Sequence, residues 1–72
     1  MGNAVETRER LVQENPHFRR LVEKHQELDR RLGELRAQRW LSEDDQLETV
    51  RLKKMKLALK DEMEKMIRGA AD

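Results

Sequence analysis

The side chains in this sequence best suited to metal binding or acid–base chemistry belong to its two histidines, His17 and His25. They lie eight positions apart, so neither has a histidine one helical turn away, and a zinc site would need carboxylates such as Glu14 or Glu62. A simpler interpretation of His25 is a polar residue within a helix seam that hydrogen-bonds Asp29, four positions further on. We therefore predict that the chain binds no metal and no cofactor.

The sequence contains no recognisable catalytic arrangement around these histidines. It has no Ser–His–Asp constellation and no glycine-rich phosphate loop. Acid–base catalysis also needs a concave pocket that shifts the pKa values of its residues, and a helical hairpin rarely has one. We therefore expect a non-enzymatic protein without catalytic residues.

A basic segment, RLKKMKLALK at residues 51–60, is the other candidate for chemistry. A helix that binds nucleic acid concentrates positive charge on one side, and bases stack on aromatic side chains. Only Phe18 and Trp40 are aromatic here, and we favour lysines scattered around a helix, with their stems over apolar surface and their ammonium groups in water. Binding of RNA or DNA backbone stays open as the alternative. A groove for it would form if four arginines of the preceding helix faced the same side as Lys53 and Lys60 in an assembled dimer: Arg19, Arg20, Arg30 and Arg31.

The composition limits what the chain can do alone. It has 72 residues, enough for one domain, and is 36% hydrophobic and 43% charged. It has no cysteine, which excludes disulfides and fits a reducing compartment, so we expect a cytoplasmic location. No apolar run approaches the ~18 residues of a membrane span, so we expect no membrane partner. Because a lone helix pair buries too little surface to offset ordering entropy, we expect a homo-oligomer, with a dimer favoured.

Apolar residues at helical spacing predict an all-α fold with three helices in a single domain over residues 1–72. Asn3 is a good cap for a short helix at about 4–14. Pro16 suits the first position of a second helix at about 16–38, although it would alternatively only kink one continuous helix.

A third helix is predicted after a turn at residues 39–42. Ser42 is a good cap for a helix at about 43–68, whose first turn is acidic, and Gly69 is suited to a left-handed stop. Two long helices joined by a short turn must lie antiparallel, as a coiled-coil-like hairpin. Its predicted core consists of Phe18, Leu21, His25, Leu28, Leu32, Leu35, Leu52, Met55, Leu59, Met63 and Met66.

The third helix has a second apolar face, formed by Leu47, Val50 and Leu57, and we predict that this face mediates oligomerisation. The short first helix folded back is the alternative cover. Trp40, in the turn, is either a plug over the end of the hairpin, which we favour, or an exposed anchor for a partner. The predicted partner surface consists of Lys24, Trp40, Lys53 and Lys60.

Two blocks of the sequence resemble the YdcH-like family of small bacterial proteins. The blocks are NPHFRRLVEKHQELD at 15–29 and LKKMKLALKDEM at 52–63, and the resemblance covers most of residues 11–67. The family pattern is matched by Asn15, Pro16, Phe18, Leu21, Lys24, His25, Leu28, Asp29, Leu52, Lys53, Lys54, Lys56, Leu57, Leu59, Lys60, Asp61 and Glu62. The resemblance implies a short coiled-coil-like helical protein of the bacterial cytoplasm and no established activity. We expect an adaptor that binds an unidentified protein partner.

Overall fold

The chain folds into three α-helices in a computed structural model that describes residues 3–71. They are α1 (Ala4–Glu14), α2 (Pro16–Ala37) and α3 (Glu43–Ala71), and no strand occurs among the described residues. The predicted all-α class is confirmed. Met1, Gly2 and Asp72, which the single-domain prediction also includes, lie outside the described residues. No helix in the described range is long and apolar enough to cross a membrane.

The break between α1 and α2 has a local cause. Asn15 adopts an extended conformation (φ −117°, ψ 105°), and its side-chain oxygen accepts the backbone N–H of Phe18 at 3.1 Å. Pro16 occupies the first turn of α2, where its missing N–H costs nothing. The guanidinium of Arg19 donates to the carbonyls of Val12 (2.9 Å) and Gln13 (3.0 Å), which α1 leaves without helical partners. The alternative of one kinked helix is therefore wrong.

The start of α3 is fixed by a local capping interaction, whereas its end does not lie where the sequence predicts. Ser42 Oγ accepts the N–H of Asp45 at 3.1 Å, and the N–H of Ser42 donates to the Asp45 carboxylate at 3.4 Å, so the two residues form a capping box. The predicted stop at Gly69 is wrong. Within the described residues no glycine has a positive φ, and α3 continues to Ala71. Glycine in a helix costs about 1 kcal/mol relative to alanine, which does not suffice to end it.

Helices α2 and α3 pack antiparallel along a molecule of 47 × 19 × 16 Å. Pairs across the helices place the start of α2 beside the end of α3: His17 lies against Glu62, and Arg31 lies against Glu48. The main core cluster consists of Phe18, Leu21, Val22 and Met63, and partly buried residues of α1 and α3 pack against it: Leu11, Val12, Leu59, Met66 and Ile67. Leu32 and Leu35 are buried nearer the turn.

The predicted hairpin core needs correction at one position. Met55 is 54% exposed, so it lies at the margin of the α2–α3 contact and not within it. Phe18, Leu21, Leu32, Leu35 and Met63 are buried. The other predicted core residues are half-buried: His25, Leu28, Leu52, Leu59 and Met66.

Candidate functional site

Three of the exposed large apolar side chains lie on a single face of α3. Glu43, Leu47, Val50, Lys54 and Leu57 follow one another at spacings of four and three residues, so they share one face, here called the outer stripe. Leu47, Val50 and Leu57 are 58%, 51% and 61% exposed. Several large apolar side chains exposed together on a small protein are typical of an interaction surface.

Trp40 lies in the turn just before α3 and is 78% exposed. The favoured prediction, a plug over the end of the hairpin, is therefore wrong, and the exposed alternative describes the structure. The neighbouring Leu41 is half-buried. The sequence spacing does not predict which of Trp40 and Leu41 is the more exposed, because a non-helical turn has no periodicity.

Beside the outer stripe runs a groove of about 310 Å³, here called the basic groove. Its lining residues are Leu32, Arg36, Lys53, Lys56, Leu57 and Lys60. An adjoining groove of about 380 Å³ shares Lys56 and Lys60 and reaches Arg8 of α1. The predicted scatter of the basic residues around the helix does not hold for Lys53, Lys56 and Lys60, which line this groove together. Their spacing of three and four residues indicates a common edge of α3.

One carboxylate partly compensates this groove. Lys56 Nζ pairs with Asp29 Oδ1, and His25 Nδ1 lies 3.5 Å from Asp29 Oδ2. The hydrogen bond from Lys56 holds the pKa of Asp29 below its ordinary value, although partial desolvation opposes the effect. In residues 3–71 no ion pair is formed by Arg36, Lys53 or Lys60. These three cations of the basic groove are therefore available to an anionic ligand.

The arginines named in the nucleic-acid alternative do not line this groove. Arg31 donates through Nε to Glu48 at 2.8 Å and through Nη1 to Glu34 at 3.2 Å, and these hydrogen bonds raise its pKa. It therefore ties α2 to α3 near the turn. Arg19 is engaged with carbonyls at the end of α1.

The two histidines lie in separate places. His17 Nε2 is 3.1 Å from Glu62 Oε1 on the exposed end of the hairpin, whereas His25 faces Asp29 further along α2. Within the described range, no three side chains of histidine, cysteine or acidic type form a group that could hold a metal ion. The absence of a metal site stays a prediction.

A third surface, here called the apolar groove, has a volume of about 420 Å³ and lies between α2 and α3. It is lined by Lys24, Glu27, Leu28, Met55, Ala58, Leu59 and Glu62. The structure thus divides the predicted partner surface. Lys24 lies on the apolar groove, Lys53 and Lys60 lie on the basic groove, and Trp40 stands at the turn.

Comparison with known proteins identifies relatives but no activity. The family described as "Protein of unknown function (DUF465)" matches residues 18–67. The chain is 43% identical to the uncharacterized protein YdcH of Escherichia coli (strain K12) over 58 residues, which cover 81% of this chain and 76% of the relative. The uncharacterized protein YdcH of Shigella flexneri matches with the same identity and coverage. No solved structure matches the chain.

Proposed function

This chain belongs to the DUF465 family, and we propose that it is a non-enzymatic protein-interaction module that works as a homodimer in the bacterial cytoplasm. The observation that carries the proposal is the outer stripe, where three large apolar side chains of one helix are each more than half exposed. An adaptor of this kind would leave the apolar groove between α2 and α3, which contains no residue of the outer stripe, to a further protein partner. The lack of cysteine supports the reducing location.

The position of α1 supports the proposal that a second copy of the chain, and not α1, covers the outer stripe. Arg10 of α1 donates to the carbonyl of Ala70 at 3.4 Å, which fixes α1 beside the end of α3. At ~1.5 Å per residue, Leu47 lies roughly 35 Å from Ala70 along the helix, whereas an α1 of this length spans only about 16 Å. The first helix therefore cannot cover Leu47 or Val50 while it stays packed on the core.

Sedimentation velocity on a pair of matched variants tests this proposal. Leu57→Asp places a charge in the outer stripe, and Met55→Asp places the same charge two residues away at a similarly exposed side chain on the other edge of α3. We expect the wild type and Met55→Asp to sediment as dimers at micromolar concentration and Leu57→Asp as a helical monomer. A wild type that stays monomeric, or a Leu57→Asp variant that associates as the wild type does, contradicts the proposal.

Binding of nucleic-acid backbone is a second candidate, favoured by the basic groove. Its cations Arg36, Lys53 and Lys60 have no acidic partner within residues 3–71. If all three contact phosphates of duplex DNA, log K should fall with log[salt] at a slope of about −2.7. Fluorescence anisotropy with a labelled duplex would measure this slope, and a Lys53→Gln, Lys60→Gln double variant should reduce it. Binding that does not respond to salt removes this candidate.

A further inference from the structure

We propose that α3 packs antiparallel against α3 of a second copy, in the register that places Leu47 opposite Val50, Glu43 opposite Lys54, and Trp40 opposite Leu57. This inference rests on the proposed homodimer and specifies its interface. Facing residue numbers sum to 97 in this register, and the two-fold axis passes between residues 48 and 49.

The spacing of the outer stripe suits this arrangement. Within α3, residues 47 and 54 form one heptad series and residues 43, 50 and 57 form the other. In an antiparallel pair of helices each member of one series faces a member of the other series across the seam. Trp40 precedes α3 by less than one turn and is the most exposed of the large apolar residues named here, so it can extend the seam beyond Glu43. All four exposed apolar side chains of the seam then gain apolar partners.

The charges of α3 are complementary to themselves in this arrangement. Residues 41–50 carry four acidic and no basic side chains, whereas residues 51–60 carry five basic and no acidic ones. Antiparallel pairing places the acidic segment of each copy against the basic segment of the other. Asp44 would flank Arg51 of the second copy, beside the Glu43–Lys54 pair. None of these four residues forms an ion pair within residues 3–71, so all are free to pair between copies.

Competing arrangements place like charges together. A parallel pair sets Lys54 against Lys54 and Glu43 against Glu43. An antiparallel pair shifted by one heptad, with residue numbers summing to 104, sets Glu43 against Asp61 and Arg51 beside Arg51, and it leaves Val50 opposite Lys54. Like charges across an interface disfavour the wrong pairing. The register that sums to 97 avoids each of these contacts.

A charge-swap experiment tests the register. Glu43→Lys and Lys54→Glu each create like-charge pairs twice per dimer, so each should raise the dimer Kd by at least about tenfold at low salt. The double variant restores opposite charges at both places and should return the Kd to within about threefold of the wild type. An equimolar mixture of the two single variants should form heterodimers, since each of its facing pairs then carries opposite charges. Sedimentation equilibrium measures all four samples, with circular dichroism to check that each is helical.

Asp61→Lys is the matched control. Position 61 lies outside the seam in the proposed register, so the Kd should not change, whereas in the shifted register this variant would face Glu43 and tighten the dimer. Single swaps that leave the Kd unchanged, or a double variant that is not rescued, overturn the register. If Leu57→Asp still abolishes association in that case, the proposed homodimer stands but its register is different. A wild type that never associates overturns both the homodimer and its register.

Discussion

Two methionines of α3 provide a direct test of the core. Met63 and Met55 lie eight residues apart on the same helix, and the spacing of the sequence predicts both in the hairpin core. In the structure Met63 is 7% exposed and Met55 is 54% exposed. Replacing each by alanine removes the same atoms and gives the same helix-propensity change, so the difference between the two variants reports burial.

The expected loss of unfolding free energy in each variant follows from the surroundings of the side chain that is removed. Met63 belongs to the cluster with Phe18, Leu21 and Val22, and a methionine-to-alanine change at such a site costs about 2–5 kcal/mol, because a cavity remains after the side chain is removed. Met55 lines the open apolar groove, where no closed cavity can form. About half of its transfer free energy is available to be lost, which is roughly 1 kcal/mol.

Urea unfolding followed by circular dichroism at 222 nm measures both changes. Protein concentration must be the same in all samples, because association raises apparent stability. We expect Met63→Ala to lower the free energy of unfolding by at least about 2 kcal/mol, and Met55→Ala to lower it by no more than about 1 kcal/mol. Equal losses, or a larger loss at Met55, would refute the packing described here.

Two further variants test local features of α2. Gly33 lies in the interior of the helix, and an added Cβ would meet no packed neighbour within 4 Å beyond the helix's own backbone. Gly33→Ala should therefore stabilise the protein by about 1 kcal/mol and raise Tm by roughly 4–8 °C in a thermal melt. A lower Tm would contradict the open surroundings of this position. The folded-state pKa of Asp29 is below its ordinary value of 3.8, so its pairing with Lys56 contributes stability above pH 3.8 that is lost as the pH falls from 3.8 through the folded pKa. The wild type should therefore be more stable than Asp29→Asn at pH 7, with the difference closing below pH 3.8 in urea titrations. A difference that is the same at both pH values would contradict the pairing.

The starts of the three helices can be predicted from the sequence because local capping residues determine them. Asn3, Asn15 and Ser42 each accept a backbone N–H three residues ahead, as their side chains and positions predict. The residue at which α3 ends cannot be predicted in the same way. Gly69 permits a left-handed stop but also permits a helix, and only the surroundings of the last turn decide between them.

The missed core positions have a tertiary cause. Val22 is buried and Ile67 packs against the core, although neither belongs to the predicted seam. Leu11 and Val12 of α1 pack against the same cluster, so α1 adds a second covered side at this end of the hairpin. The sequence shows that α1 exists but not where it docks.

The asymmetry between α2 and α3 indicates which helix would lie at the centre of the proposed dimer. The side of α2 away from the core is polar, with a shallow groove lined by Glu23, Gln26, Glu27 and Arg30. α3 has apolar residues in two directions, one toward α2 and one along the outer stripe. A helix with two apolar sides needs two neighbours, whereas a helix with one needs only one. Because α2 supplies one neighbour and α1 is held at the far end, the proposed second copy would supply the neighbour that the outer stripe lacks among the described residues, and α3 of that copy has the matching charges.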